Sequence, residues 1–203
     1  MVDPAPEPFP GLPPTLERPD ASRRGRLDER RRTRTKSIVE WVIVVAAAIG
    51  IAIVLRTFVV QTFYIPSESM VPTLKVNDRV VVNKLSYHMH SVHRGDIVVF
   101  TRPPLVDKSY KDLVKRVVGL PGETVDGHDG HVYINGKQLN EPYLKGKLTP
   151  DFKAYTVPKG SYWVMGDNRN ASEDSRVFHA IPERTIVGRV FVRIWPLNRI
   201  GLL

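Results

Sequence analysis

The sequence predicts a mainly β domain behind a single membrane-spanning helix, on three observations. A charge-free apolar run, Trp41 to Leu55, interrupts an otherwise polar N-terminus. Past residue 60 the apolar residues gather into short runs rich in Val, Ile, Tyr and Phe, the composition of strands. Pro121-Gly122, Asp129-Gly130 and Asn135-Gly136 fall between those runs, as tight turns require.

The chain has 203 residues, 42% apolar and 25% charged, which suits one globular domain with appendages. Met1 to Pro14 is rich in Pro and poor in large apolar side chains, so it cannot offset the entropy of ordering. Arg18, Arg23, Arg24, Arg26, Arg30, Arg31, Arg32, Arg34 and Lys36 follow and hold much of the formal charge of +9. Residues 1–36 therefore read as a disordered basic arm. Such a cluster beside a membrane segment suits anionic lipid. Nucleic acid as a partner would call for stacking aromatics or a known module, and the arm has neither.

Residues 37–60 are expected to form the spanning helix, close to the ~20 residues that a bilayer requires. Val, Ile and Ala cover every face, without the polar stripe that a half-buried soluble helix shows. Glu40 and Arg56 sit near its ends, where long side chains reach the headgroups. A cleaved secretory signal is the competing reading, but the preceding arm is long for one. The positive-inside rule then keeps the arm in the cytoplasm and puts residues 61–203 on the outer face of the membrane.

The predicted strands are Arg79 to Leu85, Asp96 to Thr101, Leu113 to Gly119, His131 to Asn135, Ser161 to Met165 and Thr185 to Trp195. The short stretch from Glu123 to Tyr162 implies a compact form without a large inserted second domain. There is no cysteine, which excludes disulfides, thiolate metal sites and a cysteine nucleophile. Chemistry must come from Ser, Lys, Asp, Glu or His. His88, His90 and His93 can be drawn as a metal site, but strand alternation aligns only two of them and no further ligand lies at a motif spacing. No metal or cofactor is expected.

Three segments carry candidate chemistry. In Ile65-Pro66-Ser67-Glu68-Ser69-Met70-Val71-Pro72-Thr73-Leu74, two serines lie between two prolines. Proline fixes φ and biases its predecessor toward extended backbone, so a serine there can be presented in one orientation. The run Leu113 to Gly122 places Lys115 mid-strand, on the face of Leu113 and Val117. If that face is core, the ammonium is desolvated, its pKa falls and the neutral amine can act as a base. Gly166 to Arg176 is a polar loop of paired charges and hydroxyls. Taken singly, these segments equally fit an ordinary serine-rich turn, a lysine on a solvated strand face and a loop tied by Asx-type hydrogen bonds.

Together they resemble the type I signal peptidase family. Its signature boxes are matched, in the family's order, by residues 65–74, by Asp78 with Arg79 to Asn83, by Arg94 to Phe100, by 115–122 and by 166–176. The resemblance spans residues 58–195 and implies a signal-peptidase-like antiparallel β-sheet catalytic domain with one N-terminal membrane helix.

It further implies a Ser-Lys dyad, a variant of triad logic, with Ser69 as nucleophile and Lys115 as general base. The oxyanion site would combine the Ser69 backbone N–H with the Ser67 hydroxyl. Ser172 matches a serine that hydrogen-bonds and orients the lysine, and Asp174 with Arg176 and Asp167 with Arg116 match bracing pairs. Phe63, Ile65, Met70, Leu74 and Val114 match or adjoin positions lining shallow substrate pockets. The implied substrates are signal-peptide-bearing preproteins, cleaved after a small-x-small pattern such as Ala-x-Ala and bound as an extended strand. A cytoplasmic self-cleaving repressor shares such a dyad but has no membrane helix. A catalytically silent, membrane-anchored binding protein would lack Ser69 or Lys115.

Overall fold

The structure is a computed structural model that describes residues 2, 39–53, 59–104, 106 and 109–203, without the His88 and Met89 side chains. Apart from Val2, the basic arm lies outside the described residues, as do 37, 38 and 54–58 of the anticipated span. Residues 39–53 are helical (α1) and exposed along their length. Among the described residues no helix is long and apolar enough to cross a membrane. Val60, assigned above to the helix, opens the first strand instead.

Twelve strands follow: β1 (Val60–Tyr64), β2 (Arg79–Asn83), β3 (Ile97–Thr101), β4 (Asp112–Gly119), β5 (Thr124–His128), β6 (His131–Ile134), β7 (Lys137–Gln138), β8 (Phe152–Thr156), β9 (Ser161–Met165), β10 (Ile181–Pro182), β11 (Ile186–Trp195) and β12 (Gly201–Leu202). Two one-turn helices, α2 (Ser86–Met89) and α3 (Ser175–Phe178), lie among them. The mainly β reading holds, and every pairing among the described residues is antiparallel.

The larger sheet runs β1-β2-β11-β3-β4-β9-β10, with β12 beside β11. β3 shows why its centre is stable: Val98 and Phe100 enter one apolar cluster while Ile97 and Val99 enter another. A strand buried on both faces must be apolar at every position, which its sequence satisfies. The stretch after Glu123, expected to be compact, builds a second sheet of order β7-β6-β5-β8. Its hairpins close on Asp129-Gly130 and Asn135-Gly136, all four residues at positive φ, the backbone of type I′ turns. Val118 and Met165 of the large sheet join Val125 and Val132 of the small one in a third cluster, so the second sheet is welded on by apolar burial.

Candidate active site

Ser69 sits in the loop between β1 and β2. Its mouth is closed by backbone bonds from Ile65 N–H to Asp78 O at 3.0 Å and from Asn77 N–H to Ile65 O at 2.9 Å. Met70 and Leu74 bury beneath it in the Val80–Val99 cluster, anchoring the loop by their apolar side chains. Asn168 adds a clamp: its N–H donates to Ser69 O at 3.0 Å and its side-chain Nδ2 to Glu68 O at 3.2 Å.

Lys115 reaches this loop from β4, and its Nζ donates to Ser69 Oγ at 2.7 Å. The strand face it shares with Leu113 and Val117 is a core face: Val117 is in the first cluster, Leu113 packs on it, and Lys115 is only 3% exposed. Burial lowers the ammonium pKa from the usual 10.5 to about 8. Asp174, Glu173 and Asp167 oppose that fall, and Arg176 adds to it. A buried lysine beside a serine hydroxyl can take up that hydroxyl's proton once it has lost its own. Ser67 Oγ lies 3.3 Å from Ser69 Oγ, on the same side of the loop.

The flanking charges are tied in pairs. Asp167, fully buried, accepts from Arg116 Nε at 2.8 Å and Nη2 at 2.7 Å, and also from the Thr73 hydroxyl. Arg116 Nη1 donates to Gly95 O at 2.8 Å. Asp174 caps α3, accepts from Arg176 Nε and Nη2 at 2.8 Å each, and takes the Gly166 N–H at 3.0 Å. Breaking such a pair from one side leaves a buried charge and typically costs ~3–5 kcal/mol.

Two expected placements need correction. Ser172 Oγ is buried but has no hydrogen-bond partner among the described residues, so it makes no bond to Lys115. It packs against Gly166 instead, in space that any Cβ there would fill. Leu74 does not line the cleft; it is fully buried in the core, because its side chain serves as the loop's anchor. The other four proposed pocket residues, Phe63, Ile65, Met70 and Val114, do line a cleft of about 240 Å³ together with Ser67, Ser69 and Lys115. One wall is Phe63 to Pro66, and the other is Ser109 to Lys115.

Each wall carries a sheet edge among the described residues. β1 ends the sheet and pairs only with β2, and β4 pairs with β9 only from Arg116 onward. An extended peptide can hydrogen-bond along such edges. Three contributors were not singled out from the sequence: Asn168, Thr73 and Gly166. Only Gly166 left a signal, a glycine directly after the buried run Tyr162 to Met165, the mark of close backbone approach.

The comparisons with known proteins agree on one family. The family model "Signal peptidase, peptidase S26" matches residues 38–195. The chain belongs to that family. A signal peptidase I of Leptolyngbya laminosa is 44% identical over 170 residues, 82% of this chain and 84% of its own. Signal peptidase IB of Staphylococcus aureus is 39% identical over 181 residues, 80% of this chain and 92% of its own. A crystal structure of a signal peptidase I from Enterococcus faecalis shares 36% identity and covers 49% of this chain and 97% of that one, with a TM-score of 0.43. As a family member the chain is a serine peptidase, a hydrolase of peptide bonds.

Proposed function

We propose that this peptidase is a type I signal peptidase that uses Ser69 and Lys115 to remove signal peptides from exported preproteins, cleaving after small-x-small sites such as Ala-x-Ala. The observation that carries this reading is the buried 2.7 Å contact between Lys115 Nζ and Ser69 Oγ.

Neutral Lys115 takes the Ser69 proton as the oxygen attacks the scissile carbonyl, and a C–O bond forms. The carbonyl oxygen becomes an oxyanion, held by the Ser69 N–H and the Ser67 hydroxyl. When the C–N bond breaks, the Lys115 ammonium returns its proton to the leaving amine. A water then repeats the sequence on the acyl-serine, with Lys115 again as base, and frees Ser69. The cleft between β1 and the start of β4 would take the residues before the scissile bond as an added strand, with Phe63, Ile65, Met70 and Val114 bounding small pockets. The apolar stretch that begins at residue 37 and ends before β1 would anchor the enzyme as a single membrane span, with the basic arm cytoplasmic against anionic lipid and the catalytic domain outside.

The test is cleavage of a purified precursor carrying an Ala-x-Ala site by the detergent-solubilised chain, with N-terminal sequencing of the product. A new N-terminus immediately after the second alanine supports the assignment, and a cut elsewhere overturns the specificity. Ser67→Ala is expected to lower kcat by about 10²-fold with little change in KM, because the donor acts on charge present only in the transition state.

A pH profile gives an independent check. The active form of Lys115 is neutral, so kcat/KM should fall about tenfold per pH unit below the enzyme's acid-limb pKa, near pH 8 here, and level off above it. An acid limb below about pH 6, well outside the range of a buried lysine at this site, would point to another base.

A further inference from the structure

The catalytic sheet is tied to the second sheet by a buried polar chain that the mechanism above does not use. It starts on the short helical turn Pro142–Leu144, which follows β7. The Tyr143 hydroxyl donates to Glu141 Oε1 at 2.6 Å. The same carboxylate accepts from Arg169 Nη2 at 2.5 Å and Nη1 at 3.1 Å. Both side chains of that pair are nearly inaccessible, 1% exposed for Arg169 and 7% for Glu141. Arg169 also donates to Thr149 Oγ1 at 2.6 Å and to Gly166 O at 3.0 Å. Arg176 Nη2 in turn donates to Arg169 O at 2.7 Å.

The other arm runs through the Tyr143 ring. The Arg116 guanidinium carbon lies 4.0 Å from the ring centroid, a cation–π contact over a face the hydrogen bonds leave free. With its edges committed to Asp167, Thr73 and Gly95, Arg116 is held on every side. Arg116 is the residue after Lys115, and Arg169 lies in the loop whose Asn168 clamps Ser69 O.

We propose that Glu141 and Tyr143 are positioning residues for the Ser69–Lys115 pair, holding Arg116 and Arg169 from the second sheet and so fixing the lysine strand and the 166–176 loop relative to each other. The proposal rests on the dyad reading given above. The chemistry of each group fits the task. Burial and the neighbouring Glu141 push the Tyr143 hydroxyl well above the usual phenol range, so it stays a donor. Burial opposes the Arg169 charge, but the hydrogen bond and charge of Glu141 outweigh it and raise its pKa. The carboxylate thus serves two donors at once, and removing it leaves one guanidinium buried and unpaired.

A tether of this kind acts on geometry rather than on substrate affinity. A shift of the order of 1 Å in a reacting group can cost about 10²-fold in rate. It also acts on solvent. The charges acting on Lys115, those of Asp174, Glu173, Arg176 and Asp167, all come from the 166–176 loop. Loosening that loop admits water, which stabilises the ammonium and moves its titration upward.

The experiment compares kcat, KM and the acid limb of the kcat–pH profile for the full chain in detergent and for Tyr143→Leu, Tyr143→Phe and Glu141→Gln, with Ser69→Ala as the control. Tyr143→Leu and Glu141→Gln are expected to lose about 10- to 100-fold in kcat, with KM nearly unchanged and the acid limb displaced to higher pH. Tyr143→Phe keeps the ring over Arg116 and should retain much more activity than Tyr143→Leu. The proposal is overturned if Tyr143→Leu melts lower yet, assayed below its melting temperature, keeps the wild-type kcat and acid limb, for then the turn serves packing alone. Should Glu141→Gln fail to fold, the two Tyr143 variants still decide. If Ser69→Ala itself cleaves, the dyad reading has failed, an outcome distinct from failure of the tether.

Discussion

Cleavage of the precursor should drop by about 10⁴-fold or more when Ser69 becomes Ala or Lys115 becomes Met, because either change removes one half of the proposed nucleophile–base pair, whose effects are not additive. The double variant should be no worse than either single one. Residual cleavage within about tenfold of wild type in either single variant would sink the dyad. Lys115→Met should also make the protein more stable at neutral pH. Burial holds the lysine at about 8 against the usual 10.5, a difference equivalent to about 3 kcal/mol of penalty on the charged form. Between those two pH values the unfolded chain binds more protons than the folded one, so wild-type stability climbs with pH across that window. Below pH 8 the penalty is fully present, and Met escapes it while filling the same apolar space. Allowing about 1 kcal/mol for the lost hydrogen bond to Ser69, the variant should gain about 1–2 kcal/mol at pH 7. That gain should shrink toward pH 10.5, which urea unfolding at several pH values would read directly.

In the sequence Lys115 takes its proposed role from the signature boxes, although its local pattern also fits a lysine on a solvated strand face. A charged residue between Leu113, Val114, Val117 and Val118 conflicts with the strand around it, and functional sites are where local rules break. Of the six strands read from the sequence, five lie in the large sheet, where β3 is an unbroken run of Ile, Val and Phe up to Thr101, and only β6 lies in the small one. The missed strands β5 and β8 belong to the small sheet and bury few of their residues, two of five in β5 and none of five in β8. β5 includes Asp126 and Gly127, a composition that reads as a turn. Its glycine is there because a Cβ would lie 2.4 Å from the Phe152 ring on β8, a cross-strand fact that no local pattern contains. The expected helix takes in only Val60 of β1, since Val59 and Val60 continue its apolar composition across the boundary.

The site residues divide along the same line. Ser69 and Lys115 stand in short motifs where spacing carries meaning, whereas the Tyr143–Arg116 contact joins residues 27 apart through a turn of the other sheet. Ser172 and Leu74 were placed by motif match alone, and motif matches report which residue occurs, not which neighbour takes its hydrogen bond or fills its space. The orphaned Ser172 hydroxyl is intelligible only through Gly166.

That glycine supports the other large expected effect. A Cβ at Gly166 would lie 2.2 Å from Ser172 Oγ, 2.6 Å from Ser172 Cβ and 2.4 Å from the backbone oxygen of Ser69. The serine side chain can turn away, but the Ser69 carbonyl cannot, since the Asn168 N–H and the anchored loop hold it. Gly166→Ala should therefore displace Ser69 rather than simply strain the fold. Overpacking of this kind costs about 1–3 kcal/mol of stability, and a displaced Ser69 should cost about 10²-fold in kcat. Adding Ser172→Gly removes two of the three clashes. It should restore most of the stability while leaving kcat low, because the contact with the Ser69 oxygen survives. If the double variant recovers both together, the clash with Ser172 was the whole effect and the close approach of Gly166 to the nucleophile's carbonyl is dispensable.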